Sequence, residues 1–369
     1  MKNIVLIILV ATTLITTGYG RWGWGSHRFI NAAAVDHLPP EMAFFQDHRS
    51  YLEGHSIDPD TDGFPGNYHY IDIDYYPEFF TGTLPSEWQD MVNLYGTSTM
   101  EDNGLVPWVI EWWMDDLNTL MAAGDWNNVW QIAAELGHYV ADSHQALHLT
   151  LNYNGQMTNN YGIHSRYETE MINSHLDAIT FPDSIAGYWD SPVDSVFDYI
   201  TEIYPIVDLI MAADDRAYQV DSNHGNTYYS MMWDDLADTT IWTLNRAVID
   251  LASVWYTAWI NAGSPYPPGV NIVSDQRPMQ FILKASPNPF NPRVQLSFQL
   301  EMGAETSLKI FDINGRLVRT LESGYLSQGT HLVHWDGRGQ NLAALSSGNY
   351  ICELQSSGHR IVQKLSLMK

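Results

Sequence analysis

The stretch His138–Glu168 reads HYVADSHQALHLTLNYNGQMTNNYGIHSRYE and concentrates imidazole and carboxylate groups at helical spacing. His138 and Asp142 are four residues apart, and so are His164 and Glu168. Residues four apart lie on one face of a helix, so each pair presents two polar groups from a single turn. Imidazole and carboxylate are common zinc ligands. The stretch therefore predicts a metal site that holds more than one ion.

A solvated helix is the alternative interpretation, because an isolated His-x-x-x-Asp pair is common on protein surfaces. Two observations weigh against it. A third imidazole, His148, lies between the two pairs, and the residues before His138 are apolar at Val129, Ile132 and Leu136. This pattern predicts a buried helix, and buried imidazoles and carboxylates need a partner or a metal. We therefore favour the metal site.

Two upstream segments add candidate ligands. His27 follows the Trp-Gly-rich string RWGWGS, and Asp58, Asp60 and His69 lie in the loop EGHSIDPDTDGFPGNYHYIDID. An acidic turn is the simpler explanation of this loop, since Asp, Gly and Pro are turn formers. The spacing of a calcium loop that ends in Glu is absent. His69 shifts the prediction toward a transition metal.

The first twenty residues have the pattern of a secretory signal peptide. Lys2 precedes an apolar run from Ile4 to Leu14, and small and polar residues follow up to Gly20. That run is too short for a permanent membrane span, and no later stretch is long and apolar enough. We expect a mature protein that is secreted or held at the cell surface without a transmembrane anchor. The single cysteine, Cys352, excludes an intramolecular disulfide.

Composition and periodicity predict two domains. Residues 21–263 show helical periodicity and are expected to form an all-α domain. Residues 264–278 form a Pro-rich linker. Residues 279–369 alternate between apolar and polar positions in about seven short runs separated by turns, which predicts a small β-sandwich.

These motifs, taken in order, resemble the superfamily of zinc-dependent phospholipase C and S1/P1 nuclease over residues 22–262. The resemblance implies an all-α fold, three zinc ions and hydrolysis of phosphodiesters. It also implies three ligand sets. One ion would be held by Asp58, His69, His138 and Asp142, and a second by His148, His164 and Glu168. The third would be held by His27, by the amine and carbonyl of a mature amino-terminal Trp22, and by Asp142 as a bridge. Asp58, Asp142 and Glu168 are accordingly the candidate catalytic carboxylates.

Two choices stay open within this assignment. Arg21 precedes Trp22, so the mature chain begins at either residue, and only a free Trp22 amine fits the third ligand set. Asp60 competes with Asp58 as the loop ligand, although the string Ser-Ile-Asp58 resembles the family better. Asp58 is also a candidate for orienting the attacking water.

The substrate motifs are mixed. Glu168 as the last ligand is similar to the phospholipase branch, whereas Tyr70 and Asp72 resemble the nuclease string that helps hold a base. Between residues 22 and 264 there are 36 acidic residues against five Arg and no Lys. Such a surface disfavours nucleic acid, because basic residues supply most of that affinity. We expect phospholipase C activity on phospholipids, with a single-strand nuclease and a non-catalytic zinc-binding or adhesive protein as alternatives.

The strand-rich segment carries its own resemblance. PNPFNP, FDINGRLVRTL, GTHLVHWDGR and LSSGNYICEL look like the Ig-like domain related to the flagellar-hook capping protein. Such domains often act as sorting signals for type IX secretion. The resemblance implies the secretion machinery as a partner and no catalysis in this domain.

Overall fold

The computed structural model of the protein describes residues 23–175, 178–181, 184–270, 283–300, 303–313, 315–327, 329–340, 343–356 and 359–369. The chain divides into two compact units that meet in sequence at Asn271 and Ile272. All helices of the described residues belong to the first unit and all their strands to the second. The predicted signal peptide, Trp22 and most of the predicted linker lie outside the described residues.

The first unit is built from α-helices joined by short 3-10 turns, as the all-α prediction required. In chain order the helices are α1 (Trp24–Ala34), α2 (Arg49–His55), α3 (Asp58–Thr61), α4 (Trp88–Tyr95), α5 (Thr97–Asp102), α6 (Val106–Ala123), α7 (Trp126–Ser143), α8 (Ile163–Ser165), α9 (Pro192–Ile203), α10 (Ile206–Val220) and α11 (Asn226–Asn261).

Helices α6, α7 and α11 form the centre of this unit. Gly124 ends α6 in a left-handed conformation, with φ of 72°, and the Asp125 side chain accepts a hydrogen bond from the first turn of α7. This is the turn that the sequence predicts, because glycine tolerates positive φ and Asp favours the N-cap. On α11 the Trp255 indole donates to the Ala133 carbonyl of α7 at 3.0 Å. The central helix α7 is thereby held on both sides.

Two predicted helices differ from the structure. The sequence pattern from Val193 to Ala213 predicts a single helix, but α9 ends at Ile203 and α10 begins at Ile206. Pro205 lies between them and has no N–H for a continuing helix. The pattern from about His164 to His175 predicts one helix, but the structure has α8 followed by a π-helical segment, Arg166–Met171. Such π-segments are rare and frequently occur at functional sites.

The second unit is a two-sheet antiparallel β-structure. Its strands are β1 (Leu283–Ser286), β2 (Val294–Leu300), β3 (Ala304–Asp312), β4 (Leu317–Leu326), β5 (Gly329–Trp335), β6 (Gly348–Ser356) and β7 (His359–Leu367). One sheet has the order β1-β2-β5 and the other β4-β3-β6-β7. Alternate residues of β2 and β3 are buried, which is the period-two pattern of a strand with one face on a core. The predicted sandwich is confirmed.

No helix in the described part of the chain is both long and apolar enough to span a bilayer.

Candidate metal centre

Helix α7 supplies the centre of the site. His138 and Asp142 lie one turn apart, both completely buried, and the His138 Nε2 atom is 3.1 Å from Asp142 Oδ2. The other ring nitrogen of His138 is hydrogen-bonded to the Ser56 carbonyl at 2.8 Å. Because an imidazole has only two nitrogens, this bond leaves Nε2 as the atom that faces the cluster.

Helix α1 brings His27 to the same place. The His27 and His138 rings stack with centroids 3.8 Å apart. This approach depends on Gly137, since a Cβ atom there would collide with the buried side chain of Asn31. Asn31 in turn donates to the His27 carbonyl at 3.1 Å. Glycine beside the ligand His138 therefore allows the two helices to touch.

The acidic loop places Asp60 beside the cluster and does not bring the predicted ligand Asp58 to it. Asp60 Oδ1 lies 3.4 Å from His138 Nε2. Asp58 Oδ2 instead contacts His55 Nδ1 at 2.7 Å and accepts from Gln131 Nε2 at 2.9 Å, outside the ligand cluster. The two carboxylates diverge because Asp58 begins the short helix α3, whose turn points residues two apart in different directions.

A second set of ligands follows on the carboxyl side of α7. His148 Nε2 lies 3.1 Å from His164 Nε2, and Glu168 Oε2 lies 2.9 Å from that same His164 atom. His148 Nδ1 contacts the carbonyl of His69 at 2.8 Å, which orients its Nε2 toward the cluster. All three of these predicted ligands are buried and close together.

In the part of the chain that the structure describes, the potential ligand atoms fall into three groups, and within each group they lie within 4.8 Å of one another. The groups are His27, Asp60 and His138; His69, His138 and Asp142; and His148, His164 and Glu168. The first two groups share His138, whose single free nitrogen binds only one ion. Asp142 joins the whole cluster, since its Oδ1 is 3.3 Å from His148 Nδ1 and 3.5 Å from His27 Nε2. The geometry thus forms one continuous, buried polar centre.

The electrostatics of this centre favour positive charge at His138 and neutral imidazoles at His27 and His164. Burial lowers the pKa of His27 to about 3 and that of His164 to about 4. Burial also opposes a proton on His138, but the Asp142 and Asp60 carboxylates outweigh it and raise the pKa of His138 to about 10. Burial raises the pKa of Glu168 to about 7. Neutral imidazole is the form that ligates a metal.

Supporting residues around the centre were not evident from the sequence. His144 is buried, with Nε2 3.1 Å from Asp250 Oδ2 and its ring stacked on Tyr199. Arg166, between two ligands, donates to Asp214 at 2.9 Å and to the Tyr228 hydroxyl at 2.9 Å. Both networks tie a ligand-bearing turn to α10 or α11, and their partners are too distant in sequence for any local spacing to indicate them.

The two predicted substrate residues lie beside the centre. Tyr70 and Asp72 flank Ile71, whose backbone N–H donates to the His148 carbonyl at 2.9 Å. Burial, followed by the neighbouring Asp74 charge, raises the pKa of Asp72 to about 7. The predicted ligand Trp22 lies outside the described residues, which begin at the adjacent Gly23.

Comparison with protein families assigns the helical unit to a family. The family described as zinc dependent phospholipase C matches residues 26–248. The chain belongs to the zinc-dependent phospholipase C family. This match covers every candidate ligand of the helical unit except Trp22. The predicted family is confirmed, as is the Ig-like part of the prediction, because the family described as FlgD Ig-like domain matches residues 288–359.

Solved structures give weaker similarities. Alpha toxin from Clostridium absonum shares 11% identity over 95% of this chain and 99% of its own, with a TM-score of 0.42. Clostridium perfringens alpha-toxin shares 11% over 93% and 98%, with a TM-score of 0.41. PorZ, a bacterial surface component of the type-IX secretion system of Porphyromonas gingivalis, shares 24% over 24% of this chain, with a TM-score of 0.19; the match spans 11% of the length of PorZ. No curated protein matches.

Proposed function

We propose that the helical unit is a phospholipase C that hydrolyses the phosphodiester of phospholipid headgroups at a centre of three zinc ions. The observation that carries this proposal is the continuous cluster of buried ligands around His138 and Asp142 in a chain of the zinc-dependent phospholipase C family. Imidazoles with carboxylates are a donor set found in catalytic zinc sites.

The hydrogen bonding and spacing of the candidate ligand atoms support a bound metal ion. Among the described residues His27 Nε2 and Asp142 Oδ1 are buried and make no hydrogen bond. Two nitrogens bound to one tetrahedral zinc ion lie about 3.3 Å apart, since each Zn–N bond is about 2.0–2.1 Å. The corresponding separations here are 3.0 Å for His69 Nδ1 and His138 Nε2 and 3.1 Å for His148 Nε2 and His164 Nε2.

The residues divide the work as follows. The ligands of the three ions are Asp60, His69, His138 and Asp142; His148, His164 and Glu168; and His27 with Trp22. When bound, zinc lowers the pKa of a water molecule and offsets negative charge on the phosphate oxygens. Asp142 connects the ligand groups, and the Ser56 and His69 carbonyls orient the imidazoles of His138 and His148. Asp58 acts by orienting the loop that carries Asp60.

Charge supports a phospholipid substrate. The helical unit has almost no cationic residue for a polyanion, and Arg166 and Arg246 are already paired with carboxylates. A nuclease of the S1/P1 type is the second candidate, because Tyr70 and Asp72 lie next to the His148 backbone, where a base would be held. A non-catalytic zinc-binding protein would fill the centre with metal and turn over neither substrate.

We further propose export of this protein. The leader pattern of residues 1–20 supports secretion, and the Ig-like unit supports sorting to the cell surface through the type IX route. Amino-terminal sequencing of the exported protein tests the third ligand set, since a chain that begins at Arg21 has no free Trp22 amine.

A side-by-side assay tests the activity. The zinc-loaded protein is given phosphatidylcholine, phosphatidylethanolamine and single-stranded DNA, each with and without a strong chelator. We expect chelator-sensitive release of phosphorylated headgroups while the DNA stays intact. Chelator-sensitive cleavage of DNA alone would replace this proposal with the nuclease. Full zinc loading with no turnover would leave the non-catalytic protein.

A further inference from the structure

A loop without charge links two of the metal ligands. Residues 149–162 connect His148 to α8, which carries His164, and they contain no Asp, Glu, Lys, Arg or His. Fourteen uncharged residues are unusual in a unit whose composition is so acidic. We refer to this segment as the 149–162 loop.

Hydrogen bonds within the loop hold it in one conformation. The Gly162 N–H donates to the Asn154 carbonyl at 3.2 Å, and the Asn160 N–H donates to the Gly155 carbonyl at 3.0 Å, so the two ends of the loop run side by side. Gly155 has φ of 71°, and a Cβ atom there would collide with the Asn160 backbone. The segment at the tip, residues 156–159, is therefore presented by a closed scaffold.

The rest of the unit anchors both ends of the loop. Asp74 accepts hydrogen bonds from the Leu151 N–H at 2.9 Å and from the Thr150 hydroxyl at 2.7 Å. At the other end, the Asn160 side chain donates to Asp214 at 2.7 Å. These hydrogen bonds to Asp74 and Asp214 fix the backbone that carries the loop's exposed side chains.

Large apolar side chains point outward from this scaffold. Met157 is 67% exposed and Tyr161 is 64% exposed, while Tyr153 is 37% exposed with its ring centroid 6.0 Å from that of His164. Exposing such side chains in water forgoes the free energy of burying them. The loop thus shows large apolar side chains to the outside, next to the metal centre.

We propose that the 149–162 loop is a docking surface for a zwitterionic phospholipid layer. Tyrosine favours the boundary between headgroups and acyl chains, and methionine adapts to a fluid apolar surface. A charge-free surface in an acidic unit suits a layer without net charge, whereas an anionic layer would be repelled by the surrounding carboxylates. This inference rests on the proposed phospholipase activity and specifies how that activity reaches its substrate.

Vesicle binding tests the surface directly. The zinc-loaded protein is sedimented with sucrose-loaded phosphatidylcholine vesicles, and the double variant Met157→Ser/Tyr161→Ser is compared with the wild type. The double variant Met368→Ser/Tyr325→Ser is the matched control, because these side chains of the strand unit are 58% and 67% exposed. We expect vesicle affinity to fall about tenfold or more in the loop variant only, as two interfacial side chains are lost.

A second measurement separates docking from catalysis. Hydrolysis of monomeric short-chain phosphatidylcholine should stay within about twofold of wild type in the loop variant, because docking is not needed for a soluble substrate. Hydrolysis of vesicles should fall in parallel with binding. Circular dichroism and the melting temperature verify that the variant is folded.

The outcomes distinguish failure of docking from failure of the proposed activity. Docking is overturned if wild type does not bind the vesicles, if it prefers phosphatidylglycerol vesicles, or if the control loses as much affinity as the loop variant. An equal loss on monomers and vesicles would also overturn it, since the loop would then shape the catalytic pocket. If wild type binds vesicles through the loop but cleaves no phosphatidylcholine, only the proposed activity fails.

Discussion

The buried polar groups of the two units differ in how they are satisfied. In the strand unit Thr306 is hydrogen-bonded to Ser356 at 2.7 Å, and Glu353 accepts from Arg360 at 2.7 Å. In the helical unit buried atoms of His27 and Asp142 make no hydrogen bond with any described residue. An unsatisfied buried polar group costs about 1–3 kcal/mol. The named polar groups of the strand unit thus satisfy one another, whereas the helical unit has buried polar groups that a bound cation would satisfy.

The cores of the two units therefore differ: the strand unit buries apolar side chains, and α7 buries polar side chains at a cost in stability. The core of the strand unit consists of side chains such as Leu308, Ile310, Trp335 and Cys352, which pack without further requirements. Helix α7 could bury Leu or Ala at its inward positions, but it buries an imidazole and a carboxylate there. Polar groups of this kind are retained in a core when a ligand compensates for them.

Metal removal should give the largest difference between the two units, because it should lower the melting temperature of the helical unit only. A ligand present at 1,000 times its Kd stabilises the folded state by about 4 kcal/mol. Each kcal/mol shifts the Tm of a unit of this size by about 2–4 °C. Calorimetry with a chelator should thus lower the helical transition by about 8–16 °C and leave the strand transition in place. Unchanged transitions for both units would contradict the comparison.

The different positions of Asp58 and Asp60 predict an unequal effect of two similar substitutions. Asp60→Asn should lower hydrolysis by about 100-fold or more, because it removes a ligand. Asp58→Asn should lower it by no more than about tenfold, the lower end of the cost of losing a partner of a ligand, because Asp58 is bonded to His55 and Gln131 and these are not ligands. Zinc content, measured by atomic absorption, should fall only in the first variant. Retained zinc in Asp60→Asn beside lost zinc in Asp58→Asn would restore the original assignment.

The contact between α1 and α7 predicts a position-specific cost of a methyl group. Gly137→Ala should destabilise the helical unit by about 1–3 kcal/mol, because the new Cβ collides with Asn31. Gly54→Ala, in helix α2 with open space around it, is the matched control and should be neutral or stabilising by up to about 1 kcal/mol. Denaturant unfolding measures both. Equal effects would mean that the α1–α7 contact is not tight.

Asp72 predicts a pH dependence of stability. Because burial raises its folded-state pKa to about 7, the folded protein keeps a proton that the unfolded chain releases near pH 4. Stability from this group therefore falls as the pH rises from about 4 to about 7 and is constant above that. Asp72→Asn should raise the free energy of unfolding by about 1–2 kcal/mol at pH 8 and leave it unchanged at pH 4. The value at pH 8 is reduced because the Asp72 side chain is partly exposed. An equal gain at both pH values would exclude ionisation as the cause.

The smallest effect is expected in the strand unit. Cys352→Ala removes a buried thiol and should lower the stability of that unit by about 1 kcal/mol. Zinc content and hydrolysis should be unchanged, because all of the candidate ligands belong to the helical unit. A loss of zinc in this variant would show that the two units are coupled.

Local patterns in the chain were enough to predict most of these features. The four-residue spacing of His138 and Asp142 indicated a shared helical face, and α7 has that face. Gly124 and Asp125 indicated the turn before α7, and the period-two alternation indicated β2 and β3. Each of these depends on the geometry of a few consecutive residues, which the side chains themselves determine.

Tertiary structure decided what local spacing leaves open. Asp58 and Asp60 are equivalent as turn residues, and only the placement of α3 against α7 brings Asp60 to His138. Gly137 and Asn31 are unremarkable in sequence until α1 and α7 meet. The sequence by itself thus determined which residues are suited to bind metal, because ligand chemistry belongs to the side chain. The fold decided which of them converge, because convergence depends on contacts between residues far apart in the chain.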